Sequence, residues 1–154
     1  MKKIELLQSV ALFWDLSEEE LGYISQKMIA RHYESGKFIF LEDSEGEQCF
    51  FVVQGSVKVT RLSKDGREVI LAMLNEGEFF GEMALLDGES RSANVIALEE
   101  TEVLTLNRED FLVVLHDYPQ IAIQLLKEMA DRLRKSDRQI ASLSLSDAEK
   151  RIAL

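Results

Sequence analysis

The sequence predicts a mainly β fold with flanking helices. Three observations predict it. Glycines recur at 36, 46, 55, 66, 77 and 88, nine to eleven residues apart. Short runs rich in Phe, Val and Ile lie between them, and turn signals at that interval mark an all-β sandwich or roll. Outside the span from about Tyr33 to Leu106, capping residues and helical spacing replace this pattern.

Residues 1–30 read as two short helices. Ser17 and Glu20 form a capping box, and Glu18, Glu19 and Glu20 suit the positive end of a helix dipole. Phe13 and Trp14 read as packing residues. In the β region, Val57 and Val59 alternate with Ser56, Lys58 and Thr60, as in a half-buried strand. Lys64-Asp65-Gly66-Arg67 reads as a hairpin turn, because Asp-Gly tolerates positive φ. Val69-Ile70-Leu71-Ala72-Met73-Leu74 is continuously apolar, so that strand is expected to be buried on both faces. Val95-Ile96-Ala97 and Val103-Leu104-Thr105-Leu106 close the roll. Asn107 is the expected N-cap of a helix ending near Tyr118. Pro119 suits the first turn of the next helix, which nothing breaks before Leu143. Ser146 and Glu149 form a second capping box, where a new helix is expected.

Bulk properties exclude several function classes. At 154 residues the chain is one domain plus an appendage. No stretch approaches the ~18–20 apolar residues of a membrane span. The N-terminus lacks a secretory h-region, so a cytoplasmic location is the default. A net charge of −10 makes the chain a poor non-specific binder of nucleic acid. The one cysteine, Cys49, reads as a buried small hydrophobe and rules out an iron–sulfur ligand set. Two histidines, His32 and His116, are too few for a β-roll metalloenzyme of the cupin kind and lie too far apart in sequence to suggest a haem site. No metal and no enzymatic activity are expected.

The chemistry concentrates in the run from Phe80 to Ala93. A helix starting after Gly81 would offer unpaired N–H groups to an anion. Arg91 supplies a charged fork that matches phosphate oxygens, and Ser92 adds a donor. Glu82, nine residues earlier, accepts hydrogen bonds when ionised. Phosphate donors on one wall and a carboxylate on the other suit a phosphorylated sugar.

This run resembles the phosphate-binding cassette of cyclic-nucleotide-binding domains. Leu16-Ser17-Glu18-Glu19-Glu20-Leu21, Ser35-Gly36-Lys37-Phe38-Ile39-Phe40 and Phe51-Val52-Val53-Gln54-Gly55-Ser56-Val57-Lys58-Val59 resemble the same family. The resemblance implies a double-stranded β-helix, or jelly roll, over residues 1–118. It implies that Glu82 holds the ribose 2′-hydroxyl. Arg91 and Ser92 would hold the cyclic phosphate, with Gly81, Met83, Ala84 and Ala93 around them. The implied effector is cAMP, with cGMP as the alternative.

The last helix carries a second pattern. Ala122, Leu126, Met129, Leu133, Ser136, Ile140 and Leu143 are spaced 4-3-4-3-4-3. This heptad seam predicts a homodimer through Leu126, Met129, Leu133, Ser136, Ile140 and Leu143. Ile121, Ile123 and Leu125, off the seam, suit packing of the first two turns on the chain's own β domain. In the catabolite-activator and FNR regulators that the chain resembles, this helix sets polar residues over the base. Ser136 and Asp137 fall at those positions, and Arg132 would brace Glu82. Asp137, which departs from the hydroxyl known there, could accept from an adenine amino group and would oppose the guanine keto oxygen. Residues 119–145 are then the dimer helix, and 146–154 the start of a DNA-binding domain that lies beyond Leu154. The alternatives are a regulatory module of a kinase or channel, and a sensor of a non-nucleotide effector.

Overall fold

The strand Gln48–Gln54 (β3) is buried along most of its length on both faces, and the rest of the fold is arranged around it. The structure, a computed structural model, describes residues 3–8, 10–88 and 90–152, with the backbone alone at 11, 83, 85 and 136–152. Among the described residues, eight strands form two four-stranded sheets whose pairs are all antiparallel. One sheet has the order β1 (Ile29–Tyr33), β8 (Thr101–Asn107), β3, β6 (Phe79–Phe80). The other has the order β2 (Phe38–Phe40), β7 (Asn94–Ala97), β4 (Val57–Leu62), β5 (Glu68–Leu74). This is the jelly roll that the family resemblance implies.

Strand alternation splits β3 between two cores. Phe50 and Val52 pack inside the roll with Val57, Leu74, Phe80, Val95 and Val103. Cys49, Phe51 and Val53 face a larger core closed by the helices. Those helices are α1 (Lys3–Leu7), α2 (Glu18–Ser25), α4 (Arg108–Asp117) and the first turns of α5 (Pro119–Ile152). Phe13, Phe111 and Ile121 are fully buried there. A short helix, α3 (Glu82–Asp87), follows β6 on the roll side.

The caps fall where the sequence puts them. Ser17 Oγ accepts from Glu20 N–H at 3.2 Å while Glu20 Oε1 accepts from Ser17 N–H at 3.0 Å. Asn107 Oδ1 accepts from Asp110 N–H at 2.8 Å and starts α4. Residues 63–67 make the β4–β5 turn.

Five expectations change. The β region begins at Ile29, before Tyr33, because β1 pairs with β8 far along the chain. The strand from Val69 to Leu74 is not buried on both faces. It is the edge strand β5, and only Leu74 is buried. Trp14 is 69% exposed, so it is no packing residue, although Phe13 is. Ile123 is exposed, while Ile121 and Leu125 enter the core. Finally, α5 runs unbroken to Ile152, so no new helix starts at Ser146.

Candidate functional site

Gly81 sets the geometry of the site. It sits between β6 and α3 with φ of 86°, a left-handed conformation suited to glycine. A Cβ there would come 2.8 Å from Arg91 Nη1. No side chain caps the start of α3. The chain then turns through Gly88 and returns, so that Arg91 lies beside Gly81 and Glu82.

Arg91 is 4% exposed. Its Nη1 donates to Gly81 O at 2.7 Å and its Nη2 to Gln48 O at 2.5 Å. Its Nε is buried without a partner, so the guanidinium has a donor in want of an acceptor. The carbon of the guanidinium lies 4.2 Å from the centre of the Phe40 ring. Burial pushes the Arg91 pKa down, opposed by Cys49 and Glu82, but arginine starts high enough to stay charged.

Glu82 is also 4% exposed. Arg132, from α5, donates from Nη1 to Glu82 Oε1 at 3.0 Å and from Nη2 to Phe79 O at 3.0 Å. Its guanidinium also lies 4.7 Å from the Phe79 ring centre. Burial raises the Glu82 pKa, and Arg132, then Arg91, oppose the rise. Burial also pushes the Cys49 thiol well above its ordinary value, with a further push from Glu82, so Cys49 stays a neutral, inert thiol.

Arg91, Glu82 and Arg132 line one cavity of about 570 Å³. Arg91, Ser92, Ala93, Gly81, Glu82 and Ala84 form one side, and Arg132 and Lys135 of α5 another. Apolar residues of β4 and β5, among them Val59, Ala72 and Met73, face them. Ala84 and Ala93 are buried, whereas Ser92 is exposed. The structure thus brings seven of the predicted site residues to one cavity. Met83 is described by its backbone alone, and the side chains of Ser136 and Asp137 lie outside the described residues. So do those of Ile140 and Leu143 on the expected seam. Of the rest of that seam, Leu126 and Leu133 are exposed, but Met129 packs partly against the chain's own core.

Sequence reasoning missed four participants. Lys135 was legible, since it stands three residues after Arg132 on one helix face. Phe40, the Gln48 carbonyl and Arg108, whose Nη2 donates to Ala84 O at 2.9 Å, carried no local signal. Among the described residues no cluster of His, Cys, Asp and Glu could hold a metal ion, and no helix is long and apolar enough to cross a membrane.

The cavity can take an anion at Arg91 and a hydroxyl at Glu82 in one molecule. Comparison with known proteins identifies the family. Residues 30–118 match the family model described as the cyclic nucleotide-binding domain. The chain is 39% identical over 142 residues to the cyclic AMP receptor protein of Thermus thermophilus, covering 92% of this chain and 66% of that protein. The crystal structure of the Thermus thermophilus catabolite activator protein superposes with a TM-score of 0.79 at 40% identity, over 86% of this chain and 62% of that one. The chain is also 39% identical over 118 residues to the cGMP-dependent protein kinase egl-4 of Caenorhabditis briggsae, which covers 74% of this chain but 16% of the kinase. The chain belongs to the cyclic nucleotide-binding domain family and is homologous to the catabolite-activator type of regulator.

Proposed function

We propose that this chain is the cytoplasmic ligand-sensing module of a bacterial transcription regulator, and that its effector is cAMP. The observation that carries the reading is Arg91: a buried cation with an orphaned donor, in the wall of a cavity that also holds a buried carboxylate. A cyclic phosphate would accept from Arg91 and Ser92, and from backbone N–H groups near Met83 and Ala84. Gly81 leaves room for the Arg91 guanidinium, and Ala93 is a small residue in the same cavity wall. Glu82, braced by Arg132, would accept from the ribose 2′-hydroxyl. Ser136 and Asp137 would face the base. The exposure of Leu126 and Leu133 supports a homodimer through α5, with Met129, Ser136, Ile140 and Leu143 continuing the seam. DNA would be bound by a further domain, as the relatives named for transcriptional regulation suggest.

Calorimetric titration with cAMP, with and without Arg91→Ala, tests the reading. Loss of a charge-assisted phosphate contact should weaken binding on the order of tenfold or more. Equal affinity in the variant would remove Arg91 from the phosphate site. Competition with cGMP tests the adenine preference inferred from Asp137, and displacement of cAMP at equal concentration would sink it. A second reading, a regulatory module of the cGMP-dependent kinase type, is favoured by the identity to those kinases and predicts that cGMP binds more tightly than cAMP. Failure of both nucleotides to bind would leave a sensor of another effector.

A further inference from the structure

The Arg91 guanidinium makes its hydrogen bonds to main-chain carbonyls, Gly81 O and Gln48 O. The buried carboxylate beside it, Glu82, is paired with Arg132 instead. Neutral partners hold the charge in place without cancelling it, which leaves it available to an incoming anion. Something other than an ion pair must then fix the orientation of the side chain.

We propose that the segment from Phe40 to Gln48 is a clamp that positions Arg91, with Phe40 as its key side chain. Four contacts join the segment to Arg91. The Asp43 N–H donates to Arg91 O at 2.8 Å, and the Arg91 N–H donates to Ser44 O at 2.8 Å. Gln48 O takes one Nη2 hydrogen. The Phe40 ring lies 4.2 Å from the guanidinium carbon, inside the range where a cation is attracted to a ring face. Phe40 is itself fixed, with ring centres 5.7 Å from Phe50 and 5.8 Å from Phe80. Phe50 and Phe80 stack at 4.9 Å.

Two backbone details fit the same role. Asp43 holds φ of 69°, a left-handed conformation uncommon for a residue with a side chain. That strain sits at the residue whose N–H binds Arg91 O. Gly46 has an ordinary φ, so its need for glycine is one of space. A Cβ there would meet Ala84 Cβ at 2.2 Å and Arg91 Nε at 3.3 Å. The bare backbone of Gly46 thus lets the clamp close on Arg91 and on α3 together. Phe40 also lines the cavity, and its contact with the Arg91 guanidinium assigns it a positioning role.

The inference deepens the cyclic-nucleotide reading and rests on it for affinity, though not for the order of Arg91. The experiment therefore has two readouts on the wild-type chain, Phe40→Leu and Phe40→Tyr. The first is the solvent exchange of the Arg91 Nε–H in the nucleotide-free chain, followed by nitrogen–proton NMR and assigned with Arg91→Lys. The second is calorimetric affinity for cAMP and cGMP. Phe40→Leu should speed the exchange and weaken both nucleotides by a similar factor, about two- to thirtyfold. Phe40→Tyr should recover most of each loss, because it restores the ring. Unchanged exchange in Phe40→Leu overturns the clamp, whatever the nucleotides do. Failure of the wild-type chain to bind either nucleotide would refute the proposed function, while the exchange data still decide the clamp. Gly46→Ala approaches from the opposite side and covers the case in which Phe40→Leu does not fold. It should also speed the exchange, and an unchanged rate there counts against the clamp.

Discussion

Glu82 and Arg91 are both held out of water, and water's absence changes what each can do. Burial holds the Glu82 carboxyl above its ordinary range, against Arg132 and Arg91. Its proton therefore binds more tightly in the folded chain than in the unfolded one, and stability contributed by the neutral form is lost as pH rises through the folded pKa. Ligand affinity should run the other way. Only the ionised carboxylate is a pure acceptor for a ribose hydroxyl. The affinity for cAMP should fall on acidification, beginning above the ordinary glutamate value, and Glu82→Gln should flatten that dependence. Parallel pH profiles for the two proteins in calorimetric titrations would exclude Glu82 from the binding step. The pair was legible in sequence because an acceptor and a fork at short separation, around Gly81 and Gly88, state their chemistry locally. Phe40 and Gly46 were not, because their contacts to Arg91 exist only once distant strands close the roll.

Among the elements, caps were the most readable and burial the least. A cap is a contact between residues three apart, so Asn107 could be assigned from sequence. Asn107→Ala should cost about 1 kcal/mol in chemical denaturation, with α4 otherwise intact. Burial depends on what lies opposite. The apolar run of β5 reads as a core strand, yet it is an edge with Val69, Ile70, Leu71 and Met73 exposed. The same holds for α5. Its first turns bury Ile121 and Leu125 in the chain's own core, while Leu126 and Leu133 face away. A helix that divides its apolar residues in this way is suited to two partners at once. Leu126→Glu with Leu133→Glu should halve the mass measured by sedimentation and leave the β-sheet spectrum unchanged. An unaltered mass would remove the seam from the assembly.

For the molecule as a whole, turn spacing made an all-β sandwich or roll readable, the family resemblance implied the jelly roll, and strand order stayed hidden. Pairings such as β1 with β8 and β3 with β8 join residues far apart in sequence. No local pattern encodes them. Cys49, Phe51 and Val53 could be seen as a strand, but their sharing of β3 between two cores with Phe50 and Val52 needed the fold. Charge, by contrast, is a property of the sum. With a net charge of −10 the chain should not retard duplex DNA in a gel at physiological salt, with or without cAMP. Retardation by this chain alone would place a DNA contact within it.

Arg132 joins the long helix to the cavity through Glu82 Oε1, Phe79 O and the face of Phe79. Three grips on one side chain tie α5 to the cavity wall. Such a joint has no preferred direction of travel. Any body that twists or draws α5 would report its pull as a changed affinity in the cavity. By thermodynamic reciprocity, the cavity's occupant would return that same factor to the body holding the helix.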